Sequence, residues 1–146
     1  MSDANASYDE ANIFAKILRG ELPAHRVHED DETLVFMDIM PRADGHSLVI
    51  PKRPGRNLLD LDADAVAAVA KVAQRVARAA MTAFGADGVI VQQFNEAPAG
   101  QEVFHYHVHV VPRYNDVPLR PRDGTMADGD VLKAQAEKLA AAMRDG

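Results

Sequence analysis

Apolar positions recur along this chain with two different periods, and each period predicts a different kind of element. Ile13, Phe14, Ile17 and Leu18 fall at helical spacing and Gly20 follows at a stop position, so residues 12–19 predict a short helix. Three strand-like runs come next, at 25–29, 33–37 and 47–51, separated by the turn residues Asp30-Asp31 and by 41–45. Connections of hairpin length predict antiparallel pairing. Residues 62–84 predict the main helix, with Val66, Val69, Val72, Val76, Ala80 and Phe84 forming one apolar stripe. Asp60, Asp62 and Asp64 stand where acids favour a helix start, and Gly85 is a natural stop. Two further strands, 88–94 and 103–112, are joined by the polar, glycine-containing linker 95–102, which looks able to present backbone N–H groups. Residues 113–129 predict an extended tail and 130–144 a final amphipathic helix. The polar, acidic residues 1–11 predict a disordered leader.

Composition narrows what this α+β pattern does. A length of 146 residues suits one domain with a single core. The chain has 25 Ala, most usefully placed in the long helix where small side chains pack closely on a sheet, but few aromatics and no Trp. It therefore offers no membrane span and no stacking platform for single-stranded nucleic acid. Zero Cys excludes disulfides, thiolate zinc sites and thiol nucleophiles. A formal charge of −6 disfavours a polyphosphate backbone as partner, so Arg113, Arg120 and Arg122 read as a solvated face. Asn5-Ala6-Ser7 matches a glycosylation sequon, but no secretory signal accompanies it. The expectation is a cytoplasmic globular domain with neither nucleic-acid nor membrane partners.

Several chemical motifs fail at once. There is no GxxxxGK[ST] loop and no GxGxxG turn. Asp60-x-Asp62-x-Asp64 starts like a calcium loop, but the sixth position is Ala65 instead of Gly and the twelfth is Lys71 instead of Glu. What remains is Gly100-Gln-Glu-Val-Phe-His105-Tyr-His107-Val-His109-Val-Val-Pro-Arg113. On a strand, His105, His107 and His109 share a face, about 6.5–7 Å apart between neighbours, while Phe104, Tyr106, Val108 and Val110 take the core face. Such a ridge suits two chemistries: an open three-histidine zinc site activating water, or one imidazole as nucleophile with another as proton donor. The ridge alone leaves both open.

His105-Tyr106-His107-Val108-His109-Val110-Val111 resembles the signature of the histidine triad (HIT) family, in which three His alternate with apolar residues. Residues 12–24, 35–41 and 45–52 resemble further family blocks in the same order, and the likeness covers roughly 12–114. It implies a mainly antiparallel sheet of about five strands with one long helix, a short N-terminal helix and a C-terminal helix. The HIT domain would occupy 12–114 and a helix-bearing extension, 115–146, would pack on it. The likeness also implies a homodimer and a purine nucleotide substrate, cleaved at the α-phosphorus through a covalent nucleotidyl-histidine, without a cofactor. Carried onto this chain, His107 is the nucleophile, His109 contacts phosphate and assists the leaving group, His105 orients its neighbours and His46 supports them from behind. Asp38 matches the ribose-binding acid. Ile13, Phe14, Ile17, Phe36 and Leu48 would line the base pocket, and Asn95 with Gln101, Glu102 and Val103 would cradle phosphate.

Two departures accompany the likeness. Many bacterial members hold a structural zinc with Cys-x-x-Cys and a His after Pro-Lys, together with the first triad His; here those positions are Asn12, Ala15 and Pro54. One remaining imidazole does not hold a structural zinc, so no metal is expected. Glu102 stands where some branches place Ser or Thr, and a carboxylate repels phosphate, so its side chain is expected to turn away. The leading reading is a metal-independent nucleoside phosphoramidase or dinucleoside polyphosphate hydrolase. A nucleotide-binding regulatory protein with little catalysis and a three-histidine zinc hydrolase remain the alternatives.

Overall fold

The computed structural model describes residues 8–145, and the sequon lies outside them. Its elements follow in the order α1 (Ile13–Leu18), β1 (Arg26–Glu29), β2 (Thr33–Met37), β3 (Ser47–Pro51), α2 (Ala63–Phe84), β4 (Gly88–Gln92), β5 (Val108–Arg113) and α3 (Gly129–Asp145), with a short 3₁₀ turn at Ala97–Ala99. The five strands form one sheet in the order β1-β2-β3-β5-β4, and every neighbouring pair is antiparallel. The expected α+β architecture is borne out.

Alternation along the strands assigns the two sheet faces. Val35, Met37, Val49, Val108 and Val110 pack beneath α2 and α3 in the main core. Leu34, Phe36, Leu48 and Ile50 point the other way and are covered by Phe14 and Ile17 of α1. All five residues of β2 and of β3 are therefore buried, as expected of strands sandwiched between helices. The long helix presents Ala65, Val69, Val72, Ala73, Val76, Ala79 and Ala80 to the sheet, and Val66 and Phe84 are only partly buried at its margin. Asp62 caps its first turn by accepting from the N–H groups of Asp64 and Ala65, an arrangement worth about 1 kcal/mol. Leu132, Ala136, Leu139 and Met143 of α3 join the same core.

Two sequence expectations need correction. Residues 103–107 are not strand: β5 begins at Val108 and pairs with β3 only from Ser47↔Val110 to Val49↔Val108. The chain before it is held instead by the loop that follows β3, through Tyr106 N–H to the Gly55 carbonyl at 2.9 Å. The alternation survives without the ladder, since Tyr106 still enters the main core, whereas Phe104 lies half-buried beneath the Arg56 guanidinium, 4.1 Å from its ring centroid. The disordered leader is likewise too long. Tyr8 is placed against His105, Ala11 N–H bonds the Asp9 side chain, and Asn12 donates to the Asp9 carbonyl while capping α1.

Gly45 joins fold to site. Its φ of +85° belongs to glycine, and a Cβ there would stand 2.7 Å from the Phe84 ring. The turn it permits delivers His46 to the start of β3. Gly45→Ala should therefore cost about 2 kcal/mol or more; urea denaturation showing less than about 0.5 kcal/mol would contradict this role.

Candidate active site

All three triad histidines are buried, together with His46. A neutral imidazole has one N–H donor and one acceptor nitrogen, so a backbone partner at one nitrogen fixes the other. Arg42 N–H donates to His46 Nδ1 at 2.9 Å, which puts the His46 proton on Nε2. That Nε2–H faces His109 Nδ1 at 3.0 Å, with an Asp38 carboxylate oxygen at 3.4 Å. Nδ1 of His109 is therefore an acceptor, and its proton sits on Nε2.

The nucleophile candidate has the opposite tautomer. His107 Nδ1–H donates to the His105 carbonyl at 2.6 Å, so Nε2 carries the lone pair. Its ring meets Phe14 edge-on at 4.9 Å and His109 at 4.9 Å between centroids. His105 turns away from this pair: its Nε2–H donates to the Pro51 carbonyl at 2.8 Å and its Nδ1 accepts from the Tyr8 hydroxyl at 2.7 Å. His105 thus orients His107 through its backbone oxygen, with its own ring pinned at both nitrogens.

Burial sets the charges. It pushes the imidazoles of His46 and His109 down to about 3 and that of His105 to about 4, and it lowers His107 as well. The positive charges of Arg42 and Arg122 add to the effect at His46, and Arg122 adds to it at His109. For His107 the hydrogen bond to the His105 carbonyl and the Glu102 charge partly oppose burial. Asp38 moves the other way: burial raises its carboxyl to about 6, despite the Met40 N–H that it accepts at 2.8 Å and the charge of Arg122.

The base-pocket residues are largely brought together. Phe14, Ile17, Phe36 and Leu48 form one cluster with Val103 at its edge, while Ile13 stands outside it, 47% exposed. Two side chains of the expected phosphate cradle are engaged within their own loop. Gln101 is buried and fully used within the loop, accepting from Glu96 N–H and Asn57 and donating to the carbonyls of Arg56 and Val103. Asn95 is bonded to Leu58 N–H and to Gln93. Both hold the 93–103 loop in shape. Arg56 completes this clasp with a two-pronged bond to Glu96, whose carboxyl it holds down at about 2. Sequence reading missed Arg56, Asn57 and Glu96 because their pairing joins loops about 40 positions apart. Among the described residues nothing accepts from the N–H groups of Glu102 and Val103, and the exposed Glu102 carboxylate acts on both Asp38 and His107.

The donor sets for a metal do not fit. At the structural zinc position Asn12 is occupied as the α1 cap and Ala15 offers no ligand atom, and Tyr8 holds the His105 nitrogen. The triad does not converge on a common point, since both His105 nitrogens are bonded elsewhere. Asp38, His46 and His109 do bring ligand atoms within 4.8 Å of one another. The Arg42 N–H nevertheless obliges His46 to keep its proton on the nitrogen that would have to coordinate.

Comparison with known proteins places this arrangement. A family profile described as HIT domain matches residues 19–116. A crystal structure of a HIT-like protein from Bartonella henselae, involved in cell-cycle regulation, is 48% identical with a TM-score of 0.88, covering 92% of this chain and 98% of the other. A zinc-bound histidine triad protein from Mycobacterium smegmatis is 38% identical with a TM-score of 0.81, covering 92% and 94%. The adenylylsulfatase HINT3 of Arabidopsis thaliana is 39% identical over 101 residues, 69% of this chain and 51% of the relative.

The hydrogen-bond directions predict that ¹⁵N NMR at pH 7 finds Nε2–H tautomers at His46, His105 and His109 and an Nδ1–H tautomer at His107 alone. An Nε2–H signal from His107 would contradict the geometry.

Proposed function

Because the chain belongs to the histidine triad family, we propose that it is a nucleotidyl hydrolase acting at the α-phosphorus of purine nucleotides. The observation that carries this is the lone pair on His107 Nε2, held outward by the Nδ1–H bond to the His105 carbonyl. The adenylylsulfatase activity named for the Arabidopsis relative supports the same reaction class.

The reaction runs in two displacements. His107 Nε2 attacks phosphorus, an N–P bond forms, and the bond from phosphorus to the leaving group breaks with its electron pair going to the departing atom. His109 Nε2–H faces that atom as a hydrogen-bond donor, and an amine leaving group takes its proton from solvent. Water then attacks phosphorus, the N–P bond breaks, and its electrons return to His107 Nε2. One water proton leaves to solvent. Two modest barriers replace one high one. The free N–H groups of Glu102 and Val103 are suited to the phosphoryl oxygens, and the Asp38 carboxylate to the ribose hydroxyls. The phosphoramidate and dinucleoside polyphosphate substrates implied by the family belong to this reading. So does a homodimer, for which the edge strand β4, with Val91 53% exposed, offers an unpaired seam.

His107→Asn should lower turnover of adenylyl sulfate and of adenosine phosphoramidate by about a thousandfold or more while AMP affinity stays within about threefold. Full activity in that variant would contradict the reading.

A pH dependence follows from Asp38. Its carboxyl, raised to about 6, is protonated below that value and then loses an acceptor for ribose. We expect kcat/KM to fall as pH drops through about 6, and Asp38→Asn to remove that inflexion. An inflexion near 6 that persists in Asp38→Asn would assign it elsewhere.

A further inference from the structure

Beyond His109 the same sheet face continues into a cavity of about 130 Å³. Gln92 is the β4 residue opposite His109, and Ile90 lies opposite Val111 two positions along, so the cavity follows the strand pair outward from the reacting histidines. Phe94 bridges the two regions: its ring lies 5.7 Å from that of His109 and lines the cavity on its other side. Arg42 and Arg122 enter from opposite segments, one from the turn before β3 and one from the stretch between β5 and α3.

Neither guanidinium bonds a carboxylate, although the Arg122 charge reaches Asp38. Among the described residues neither forms an ion pair, although Arg19, Arg26, Arg53, Arg56 and Arg120 all do. Arg42 is steered by its Nε–H, which donates to the Arg120 carbonyl, and Arg122 stands 5.8 Å above the Phe94 ring. In a chain of net charge −6, two unpaired arginines lining one cavity beside the reacting histidines mark a place for an anion.

Position identifies which part of a substrate would lie there. An in-line displacement puts the leaving group opposite the attacking nitrogen, on the side of His109 and its Nε2–H. We propose that this cavity is the leaving-group subsite and that it takes a tetrahedral oxyanion, so that favoured substrates carry sulfate or a phosphate chain on the α-phosphorus in place of an amine. The proposal rests on the nucleotidyl-hydrolase reading and sharpens its substrate class.

The chemistry of departure agrees. When the P–O bond to sulfate or phosphate breaks, the oxygen keeps the electron pair and leaves as a stable anion, needing charge and hydrogen bonds but no proton. An amine must be protonated as the P–N bond breaks. His109 is held neutral by burial and by the Arg122 charge, which suits it to hydrogen-bond an anion better than to deliver a full proton.

The test compares adenylyl sulfate, diadenosine triphosphate and adenosine 5′-phosphoramidate on the full chain and on its Arg42→Gln and Arg122→Gln variants. We expect kcat/KM for the first two, relative to the phosphoramidate, to fall by about tenfold or more in each variant; adenylyl sulfate falling alone would assign sulfate, and both falling would assign oxyanions generally. Equal losses on all three substrates, or none, would overturn the proposal. A second arm separates it from the catalytic reading: calorimetric binding of adenylyl sulfate and AMP to His107→Asn, with and without Arg122→Gln. Tighter binding of adenylyl sulfate that Arg122→Gln abolishes supports the subsite even if the wild-type chain turns nothing over. Equal affinity for the two nucleotides in His107→Asn overturns it.

Discussion

The site depends on the direction of three hydrogen bonds between buried imidazoles and the backbone. Arg42 N–H, the Pro51 carbonyl and the His105 carbonyl each fix one nitrogen of His46, His105 and His107. Burial keeps these rings neutral, so fixing one nitrogen fixes the other, and His109 inherits its tautomer from His46. Backbone groups do not titrate, and the arrangement is therefore insensitive to pH around neutrality. It also explains why the sheet matters to chemistry: β3 supplies Pro51, and the Gly45 turn at its start supplies His46.

Much of this frame is legible in the amino-acid pattern. Both long helices, the short first helix and all five strands follow from periodicity and stop residues, because each element's apolar face is also its packed face. The triad's alternation was legible for the same reason, even where the strand was not. A ladder extending back to residue 103 would need β3 to continue beside it, and the chain instead turns off at Pro51 and binds Tyr106 from Gly55. Local pattern carries no information about where a neighbouring strand stops. The loop bonds of the Asn95 and Gln101 side chains were illegible for the same reason. A polar residue in a small-residue loop reads as a ligand group, but here it satisfies buried backbone that would otherwise lack partners. Tyr8, Arg56 and Glu96 escaped notice because each acts across a long sequence separation.

Charge has a different meaning at the site than over the whole chain. The net negative balance argues against a polyanion, yet under the proposed function the neutral histidines, the N–H groups of the 102–103 turn and the two cavity arginines together face a single nucleotide. The Glu102 charge acts on Asp38 and His107 within that region. The missing Cys acquires a structural counterpart as well: Asn12 caps a helix and Tyr8 holds His105, so hydrogen bonds stand where the zinc-bearing pattern would put metal ligands.

The central claim is that His107 Nε2 bonds covalently to phosphorus during turnover. Rapid mixing with adenylyl sulfate, quenching in alkaline denaturant and peptide mass spectrometry address it directly. The account predicts an adenylyl group on the His107 peptide, formed and lost within the turnover time. Turnover at full rate with no adduct, or an adduct on His109, would contradict it.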